Sequence, residues 1–406
     1  MTCKKVLLKD IADDIQTGPF GSQLHQSDYS DYGIPVIMPK DLLNGHISTN
    51  TIALVEPCHA ERLNRHLVKT DDIVFARRGD VGRCAFVTEK ESGWICGTGC
   101  IRVRINSNLT NPKFVFYQLQ KEETIGWIEK HAVGATMLNL NTSIIGDVPV
   151  ELPDLSTQNK IVEIISNYDK LIENNQKQIK LLEEAAQRLY KEWFVDLRFP
   201  GYENTKIVDG VPEGWKKDRA DSFYNITIGK TPPRAEKQWF VNSGEGIPWL
   251  SISDMGNSGL YTFKTGEDLT VDAVDKHNIK VVPKGTVFVS FKLTVGRISI
   301  AGEDMCTNEA IAHFYVDDIQ RPYTYCYLKN FEYDTLGNTS SISKAVNSKI
   351  IKSMTFIMPD DKILDAFSNQ VNPILMSIKN KQLACLKLAE TRDMLLPRLM
   401  SGEVEV

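Results

Sequence analysis

Basic side chains are concentrated at equivalent places in the two halves of this 406-residue sequence. Residues 62–83 contain six arginines and lysines against three aspartates, and residues 276–297, which lie 214 positions later, contain five and no acidic residue. Guanidinium and ammonium groups donate hydrogen bonds to phosphate oxygens and to guanine edges. Because the whole chain carries a formal charge of −5, an anion-binding surface must be local. The two patches indicate nucleic-acid contact, with ordinary solvated surface charge as the alternative.

Loops rich in glycine and small polar residues supply further candidates for reading DNA. They occupy residues 17–23 and 134–141 in the first half, and 230–234, 251–254 and 340–344 in the second. Asn, Gln, Ser and Lys side chains read base edges, although the same residues also build ordinary turns. The loops and patches together give the predicted DNA-binding residues: Gly18, Phe20, Ser22, Gln23, Lys40, Arg77, Arg78, Arg83, Thr136, Asn139, Asn141, Lys230, Thr231, Arg234, Ser251, Ser253, Lys292, Arg297 and Lys344.

Motifs for catalysis are weak or incomplete. Gly97-Thr98-Gly99 begins like a phosphate-binding loop but lacks the third glycine, and the sequence contains no Walker A motif. Asn111-Pro112-Lys113-Phe114 is similar to the tetrapeptide of adenine methyltransferases, yet Lys stands where that motif has Pro. We therefore expect no catalytic residue and a chain that is not itself an enzyme.

The eight cysteines are scattered and do not form a disulfide framework, which suits a reducing compartment. Cys58-His59, Cys84, Cys96 and Cys100 could in principle collect a zinc ion, but tight Cys-x-x-Cys pairs are absent. We predict buried thiols and no metal site. The sequence also lacks an apolar run of about eighteen residues and a signal-peptide core, so we expect a cytoplasmic protein.

The elements that would position these residues form an internal repeat. The Gly-Ile-Pro of residues 33–35 returns at 246–248, and the Val-Gly-Arg of residues 81–83 returns 214 positions later. The segment Asn141–Ile145 returns as Asn347–Ile351, 206 positions later. Each half is thus a globular block followed by a helical segment.

Two segments predict long helices. Residues 156–195 contain neither Gly nor Pro, and their apolar residues recur at alternating steps of four and three, which is typical of a coiled-coil seam. Ser156 is the predicted N-cap. The same seam recurs 206 positions later. We expect the two helices to pair antiparallel, with a kink or break near Pro373 because proline removes a helix hydrogen bond.

The predicted fold class is α+β. Two similar globular domains, each mixed α/β with a twisted sheet, are separated by two long antiparallel helices that form a coiled coil with pseudo-twofold symmetry. The predicted boundaries are 1–155 for the first domain, 156–197 for the first helical spacer, 198–360 for the second domain and 361–406 for the second spacer.

The order of these pieces resembles the specificity subunit of type I restriction–modification systems over the whole chain. The pieces that carry the resemblance are residues 72–83, 134–141, 149–153, 189–196 and 392–403. In that family the two variable blocks are target-recognition domains, and the helical regions bind methyltransferase subunits. The second half departs from the pattern at residues 340–347, so its loops are not matched one to one.

The resemblance implies a non-catalytic subunit that gives a restriction–modification complex its DNA sequence specificity. Each domain would read one half of a bipartite double-stranded target, and the helices would set the spacer and dock two methyltransferase subunits. Those subunits would flip out an adenine and methylate it with S-adenosylmethionine, while restriction subunits would use ATP and Mg²⁺. This chain would hold no cofactor. The alternatives are a nuclease or methyltransferase acting alone, and a coiled-coil adaptor that joins proteins without reading DNA.

Overall fold

The computed structural model describes residues 3–134, 137–336 and 346–406. The chain divides into two compact units. Unit one consists of Met1–Lys170 together with Leu388–Val406, and unit two consists of Leu171–Lys387. Within the described residues, no helix combines the length and the apolar character needed to cross a membrane.

Unit one is a mixed α/β domain. Its strands are β1 (Lys4–Leu7), β2 (Ala12–Thr17), β3 (Tyr29–Ser30), β4 (Ile34–Ile37), β5 (Leu42–Leu43), β6 (His46–Ile47), β7 (Ala53–Val55), β8 (Ile73–Ala76), β9 (Cys84–Phe86), β10 (Ile95–Cys96), β11 (Cys100–Ile105) and β12 (Pro149–Leu152). Its shorter helices are α1 (Leu8–Ile11), α2 (Pro57–Arg62), α3 (Pro112–Leu119), α4 (Glu122–His131) and α5 (Thr142–Gly146). The main sheets have the orders β2-β11-β8-β9 and β10-β4-β7-β3, and β1 pairs with β12.

Strand β8 shows why the central sheet is buried on both faces. All four of its residues are buried. Because successive side chains of a strand point to opposite faces, Ile73 and Phe75 pack in one apolar cluster, while Val74 and Ala76 pack in another. Leu399 and Met400, from the far end of the chain, are buried in the same cluster as Phe75. The core of unit one therefore contains residues from both ends of the sequence.

Unit two repeats this design. Its strands are β13 (Ile207–Val208), β14 (Val211–Pro212), β15 (Lys216–Arg219), β16 (Ile226–Ile228), β17 (Phe240–Asn242), β18 (Ile247–Leu250), β19 (Tyr261–Thr262), β20 (Glu267–Leu269), β21 (Val287–Ser290), β22 (Ile298–Ala301), β23 (Cys306–Thr307), β24 (Ile311–Phe314) and β25 (Thr355–Met358). Its shorter helices are α7 (Ala220–Phe223), α8 (Ile252–Asn257), α9 (Val271–Lys276), α10 (Gln320–Asn330) and α11 (Ser348–Lys352).

The strand order confirms the prediction of two similar domains. The order β2-β11-β8-β9 of unit one returns in unit two as β16-β24-β21-β22, to which β19 is added at the edge. The order β10-β4-β7-β3 returns as β23-β18-β20-β17, and the pair β1–β12 returns as β15–β25.

Two long helices, α6 (Leu155–Tyr190) and α12 (Asp361–Ser401), run antiparallel where they meet inside each unit. In unit one, Lys160 donates to the carbonyl of Val406 at 3.2 Å, and Arg392 pairs with Asp169 at 2.8 Å. In unit two, the ring of Tyr190 lies 6.4 Å from that of Phe367, and the Cys385 thiol donates to the carbonyl of Ile172 at 3.7 Å. Within each unit, later residues of α6 thus lie opposite earlier residues of α12. The predicted antiparallel pairing is confirmed within each unit.

Aspartates, rather than the predicted Ser156, cap the two long helices. The Asp154 carboxylate accepts from the backbone N–H of Thr157 at 3.0 Å, and that of Asp360 accepts from Lys362 and Ile363 at 3.0 and 3.1 Å. This hydrogen bond from Thr157 lowers the pKa of Asp154. The repeated Pro-Asp of the sequence is therefore a pair of helix-start signals.

We expected a kink or a break near Pro373. The break is wrong, because α12 continues through this residue without interruption, and the kink stays a prediction. Pro373 lies on the exposed side of the helix, whereas Val371, Leu375 and Ile378 are buried in the core of unit two. The carbonyl that loses its hydrogen bond, that of Asn369, belongs to an exposed residue and can bind water instead. Burial of the apolar side offsets the cost of the proline.

Candidate nucleic-acid interface

In unit one, the predicted binding loops meet at one end of the central sheet. Strands β2 and β8 end there at Thr17 and Ala76, and the antiparallel strands β11 and β9 begin there. We call residues 18–23, 77–83, 97–99 and 137–140 the first loop face. Antiparallel strand order, rather than closeness in sequence, brings these four loops together.

Backbone hydrogen bonds join the loops of this face. The N–H of Gly18 donates to the carbonyl of Cys100 at 2.9 Å, and that of Arg77 donates to Gly99 at 2.7 Å. The N–H of Leu140 donates in turn to Arg77 at 2.9 Å. A Cβ atom on Gly18 would lie 2.0 Å from the carbonyl oxygen of Gly97, so only glycine fits there. Gly18 thus acts through close backbone packing and offers no side chain to DNA.

The arginines of the first loop face differ in availability. The Nε of Arg77 donates to the Leu140 carbonyl at 3.1 Å, and that of Arg83 donates to Asp80 at 3.0 Å. The side chain of Arg78 is exposed and has no hydrogen bond or ion pair with any described residue. Arg77 and Arg83 therefore hold the loop, and Arg78 is the guanidinium free to meet a ligand.

The asparagines also separate into different roles. Asn141 caps α5, where its Oδ1 accepts from the N–H of Ile144 at 2.8 Å. The backbone of Asn139 pairs with Val133, while its Oδ1 is buried without a hydrogen-bond partner among the described residues. Asn141 is thus a structural residue, and Asn139 keeps an unused acceptor.

The loop after β2 carries an exposed aromatic ring. Phe20 is 54% exposed, and Gln23 fixes its turn by accepting from the Phe20 N–H at 3.1 Å. Ser22 is exposed in the same turn. Lys40 is also exposed and donates to the carbonyl of Thr51 at 2.8 Å. Thr136 lies outside the described residues.

In unit two, the equivalent loops meet at the same end of the equivalent sheet. We call residues 229–236, 291–297 and 308–310 the second loop face. The N–H of Gly229 donates to Ile311 at 3.1 Å, and that of Phe291 donates to Ala310 at 2.9 Å. A Cβ atom on Gly229 would lie 2.2 Å from the Asn308 carbonyl. Gly229 therefore repeats the role of Gly18.

Most polar candidates of the second half are bound within the domain. Thr231 donates to the Glu309 carboxylate, and Lys230 donates to the carbonyl of His277 at 2.6 Å. Arg297 donates to the carbonyl of Ile252 at 2.6 Å. Ser251 caps α8 by accepting from the N–H of Asp254 at 3.1 Å. These contacts shape the loops.

Arg234 is exposed but fixed. Its guanidinium lies 4.2 Å from the ring centre of Phe240 and 4.5 Å from that of Trp249, and it donates to Glu267 at 2.6 Å. Cation–π contacts of this kind hold the guanidinium plane in place. Ser253 is exposed on α8, and Lys344 lies outside the described residues.

Lys292 of the second loop face is exposed and, unlike Lys230 and Arg234, has no hydrogen bond or ion pair with a described residue. It lies at the position equivalent to Arg78 under the 214-residue offset. Its Nζ lies 5.7 Å from the ring centre of Phe291. The next residue, Leu293, is 91% exposed, and the prediction of binding residues missed it. The alignment of Leu293 with Gly79 under the same offset is the signal that could have drawn attention to it.

Beneath the second loop face lies a neutral histidine. His313 on β24 is fully buried between Thr227, 2.9 Å from its Nδ1, and Thr307, 2.7 Å from its Nε2. Burial lowers the pKa of His313 to about 3, with a smaller contribution from the charge of Lys280. The equivalent residue in unit one, 211 positions earlier, is Arg102, which pairs with Asp14.

The weak catalytic and metal signals have structural explanations. Asn111 caps α3, where its Oδ1 accepts from the N–H of Lys113 at 2.9 Å. Cys84, Cys96 and Cys100 are buried as predicted, and burial raises the pKa of Cys96 to about 12. Cys58 is exposed, so the prediction of a buried thiol is wrong there. Across residues 3–134, 137–336 and 346–406, no group of three or more His, Cys, Asp or Glu is placed to hold a metal ion.

Known proteins resemble both halves of the chain. Residues 2–184 and 212–386 each match the family described as the type I restriction modification DNA specificity domain. The type I restriction enzyme HindI specificity subunit of Haemophilus influenzae is 25% identical over 409 residues, which cover 83% of this chain and 87% of that protein. The putative type I restriction enzyme MjaX specificity subunit of Methanocaldococcus jannaschii is 25% identical over 422 residues, covering 98% and 93%.

A solved structure has a similar fold. The crystal structure of the S subunit of a type-I restriction-modification system from M. genitalium gives a TM-score of 0.59 at 13% sequence identity. The similarity covers 98% of this chain and 96% of that one.

Proposed function

This chain belongs to the type I restriction modification DNA specificity family, and on that premise we propose that it gives a restriction–modification complex its DNA sequence specificity. Each unit reads one half of a bipartite double-stranded target through its loop face. The chain itself carries out no catalytic step.

The repetition of one loop face on two equivalent sheets is the observation that supports this proposal. Each face lies at the end of the same four-strand order. Each also carries, at equivalent positions, one exposed basic side chain that has no hydrogen bond or ion pair with a described residue: Arg78 in unit one and Lys292 in unit two. The other arginines of the two faces are bound to carbonyl or carboxylate oxygens of their own domain. A rigid loop with one free cation is suited to contact a phosphate or a guanine edge.

The helices α6 and α12 supply the scaffold in this proposal. They set the unread spacer between the half-sites and bind the methyltransferase subunits. Exposed apolar side chains on these helices give such partners a surface: Leu181 is 64% exposed and Met394 is 67% exposed. The methyltransferase subunits bring S-adenosylmethionine, and restriction subunits bring ATP and Mg²⁺. No finding favours the adaptor that joins proteins without reading DNA.

Methylation mapping tests the assignment. The full chain is combined with the methyltransferase subunits of its system and a pool of random-sequence duplexes, and methylated adenines are located by sequencing. We expect one bipartite sequence. The Arg78→Ala variant should weaken recognition of one half-site by about five- to a hundredfold, and Lys292→Ala should weaken that of the other by a similar or smaller factor.

Exposed lysines on strands away from the loop faces provide matched controls. Lys4→Ala on β1 and Lys217→Ala on β15 remove one charge from unit one and unit two respectively, and should leave both half-sites unchanged. Methylation without sequence preference by the wild-type complex would refute the proposed function. If either loop variant weakens recognition of both half-sites equally, the proposal that each unit reads its own half-site is refuted.

A further inference from the structure

An apolar side chain stands at the tip of a hairpin on the second loop face. Leu293 lies between β21 and β22 and is 91% exposed, more than any other large hydrophobic residue in the described part of the chain. Its φ is +61°, in the left-handed region that disfavours residues with a Cβ atom. The domain thus places an apolar group in water and holds it in a strained conformation.

The tip is held firmly from within the domain. The hydroxyl of Ser290 donates to the carbonyl of Thr294 and accepts from the N–H of Arg297 at 2.9 Å. The N–H of Gly296 donates to the Ser290 carbonyl at 2.9 Å. Because the hairpin is tied across its base, the backbone that carries Leu293 is held in place.

Unit one shows what folding alone requires at this position. The equivalent residue is Gly79, with φ of +78° and open space around the site of a Cβ atom. Glycine adopts this conformation without the steric penalty that leucine meets. Folding of the hairpin therefore does not need Leu293, and no described residue covers it.

We propose that Leu293 reads a thymine of the second half-site through apolar contact with its C5-methyl group. This inference rests on the proposed function. A two-stranded β ribbon fits the major groove, where the thymine methyl is the apolar feature that distinguishes the bases. The neighbouring Lys292 is exposed and supplies a cation for the phosphates that line the groove.

Deoxyuridine substitution tests this contact, because deoxyuridine pairs like thymidine but lacks the methyl group. The wild-type complex of the full chain and its methyltransferase subunits is titrated with duplexes selected from the random pool. Each thymine of the second half-site is replaced in turn. Replacement of one particular thymine should weaken binding by about fourfold, the value of burying one methyl-sized group.

The L293G variant separates a reading role from a structural one. Glycine relieves the strain at this φ, so the variant should melt at the same temperature as the wild type or higher. Its affinity for the unmodified duplex should fall about tenfold, the low end of the value of burying a leucine side chain, and deoxyuridine at the critical position should cause no further loss. Val271→Ala, which trims an exposed apolar residue elsewhere in unit two, should bind as the wild type does.

Two results would overturn the inference. One is wild-type binding that is insensitive to deoxyuridine at every thymine of the second half-site. The other is an L293G variant that binds as tightly as the wild type. The inference also fails if this variant loses the same factor of affinity for the unmodified and the deoxyuridine duplex relative to the wild type, as expected if Leu293 wedges between bases instead of contacting the methyl group. A wild-type complex without any sequence preference would instead refute the proposed function itself.

Discussion

Acidification should destabilise unit two through His313. The folded domain holds this side chain neutral because burial lowers its pKa to about 3. In the unfolded chain it takes up a proton below about pH 6.5, the ordinary value. Protons therefore favour the unfolded state, and this part of the stability is lost as the pH falls from about 6.5 toward 3.

The size of the effect follows from those two pKa values. Between pH 7 and pH 4.5, the unfolded state gains about 2.5 kcal/mol relative to the folded state from this one residue. The two side chains that contact its ring nitrogens, Thr227 and Thr307, carry no charge, so neither cancels the shift. A change of this size is a large fraction of the stability of an ordinary domain.

Hydrogen exchange at β21 and β24 measures the prediction, with β8 and β11 of unit one as an internal reference. His313→Gln retains a polar group for the two threonines but cannot titrate. The stability of the wild type relative to this variant should therefore fall by about 2.5 kcal/mol between pH 7 and 4.5. If the difference in stability between the wild type and the variant is the same at both pH values, the claim that folded His313 stays neutral is refuted.

Two further predictions concern packing and capping. Gly229→Ala places a Cβ atom 2.0 Å from Thr307 Oγ1 and should cost unit two about 1–3 kcal/mol in thermal unfolding. The matched control is Gly21→Ala, which has nothing within 4 Å of its Cβ atom and should have little effect on stability. If the two variants are destabilised equally, the close packing of Gly229 against Thr307 is contradicted. Asp360→Ala removes the cap of α12 and should lower the free energy of unfolding in urea by about 1 kcal/mol. Asp360→Asn keeps a capping oxygen and should retain most of that stability. If both variants lose the same amount, Asp360 does not act as a cap.

The repeat made the architecture predictable. Buried strands such as β8 and β21 appear in the sequence as apolar runs, and the two long helices appear as a periodic seam. These signals are local, so a single sequence carries them. The break expected at Pro373 was wrong because its cost depends on which side of the helix is buried, and that is decided by unit two as a whole.

The candidate site was less predictable because the partners of its side chains are distant in sequence. Arg77 bonds to Leu140, and Arg297 bonds to Ile252. Nothing in the local pattern separates these bound arginines from the free Arg78. Asn141 could have been recognised as a helix cap, because its repeat, Asn347, begins α11 in the same way.

The burial of Leu399 and Met400 in the same apolar cluster as Phe75 also affects how the protein is made. A ribosome completes all of unit two before it releases residues 388–406, so unit one cannot close its core until these later residues have been translated. Unit two, by contrast, can finish folding from one uninterrupted stretch of nascent chain. A nonsense mutation just after residue 387 would therefore damage unit one, although all of unit two would be translated.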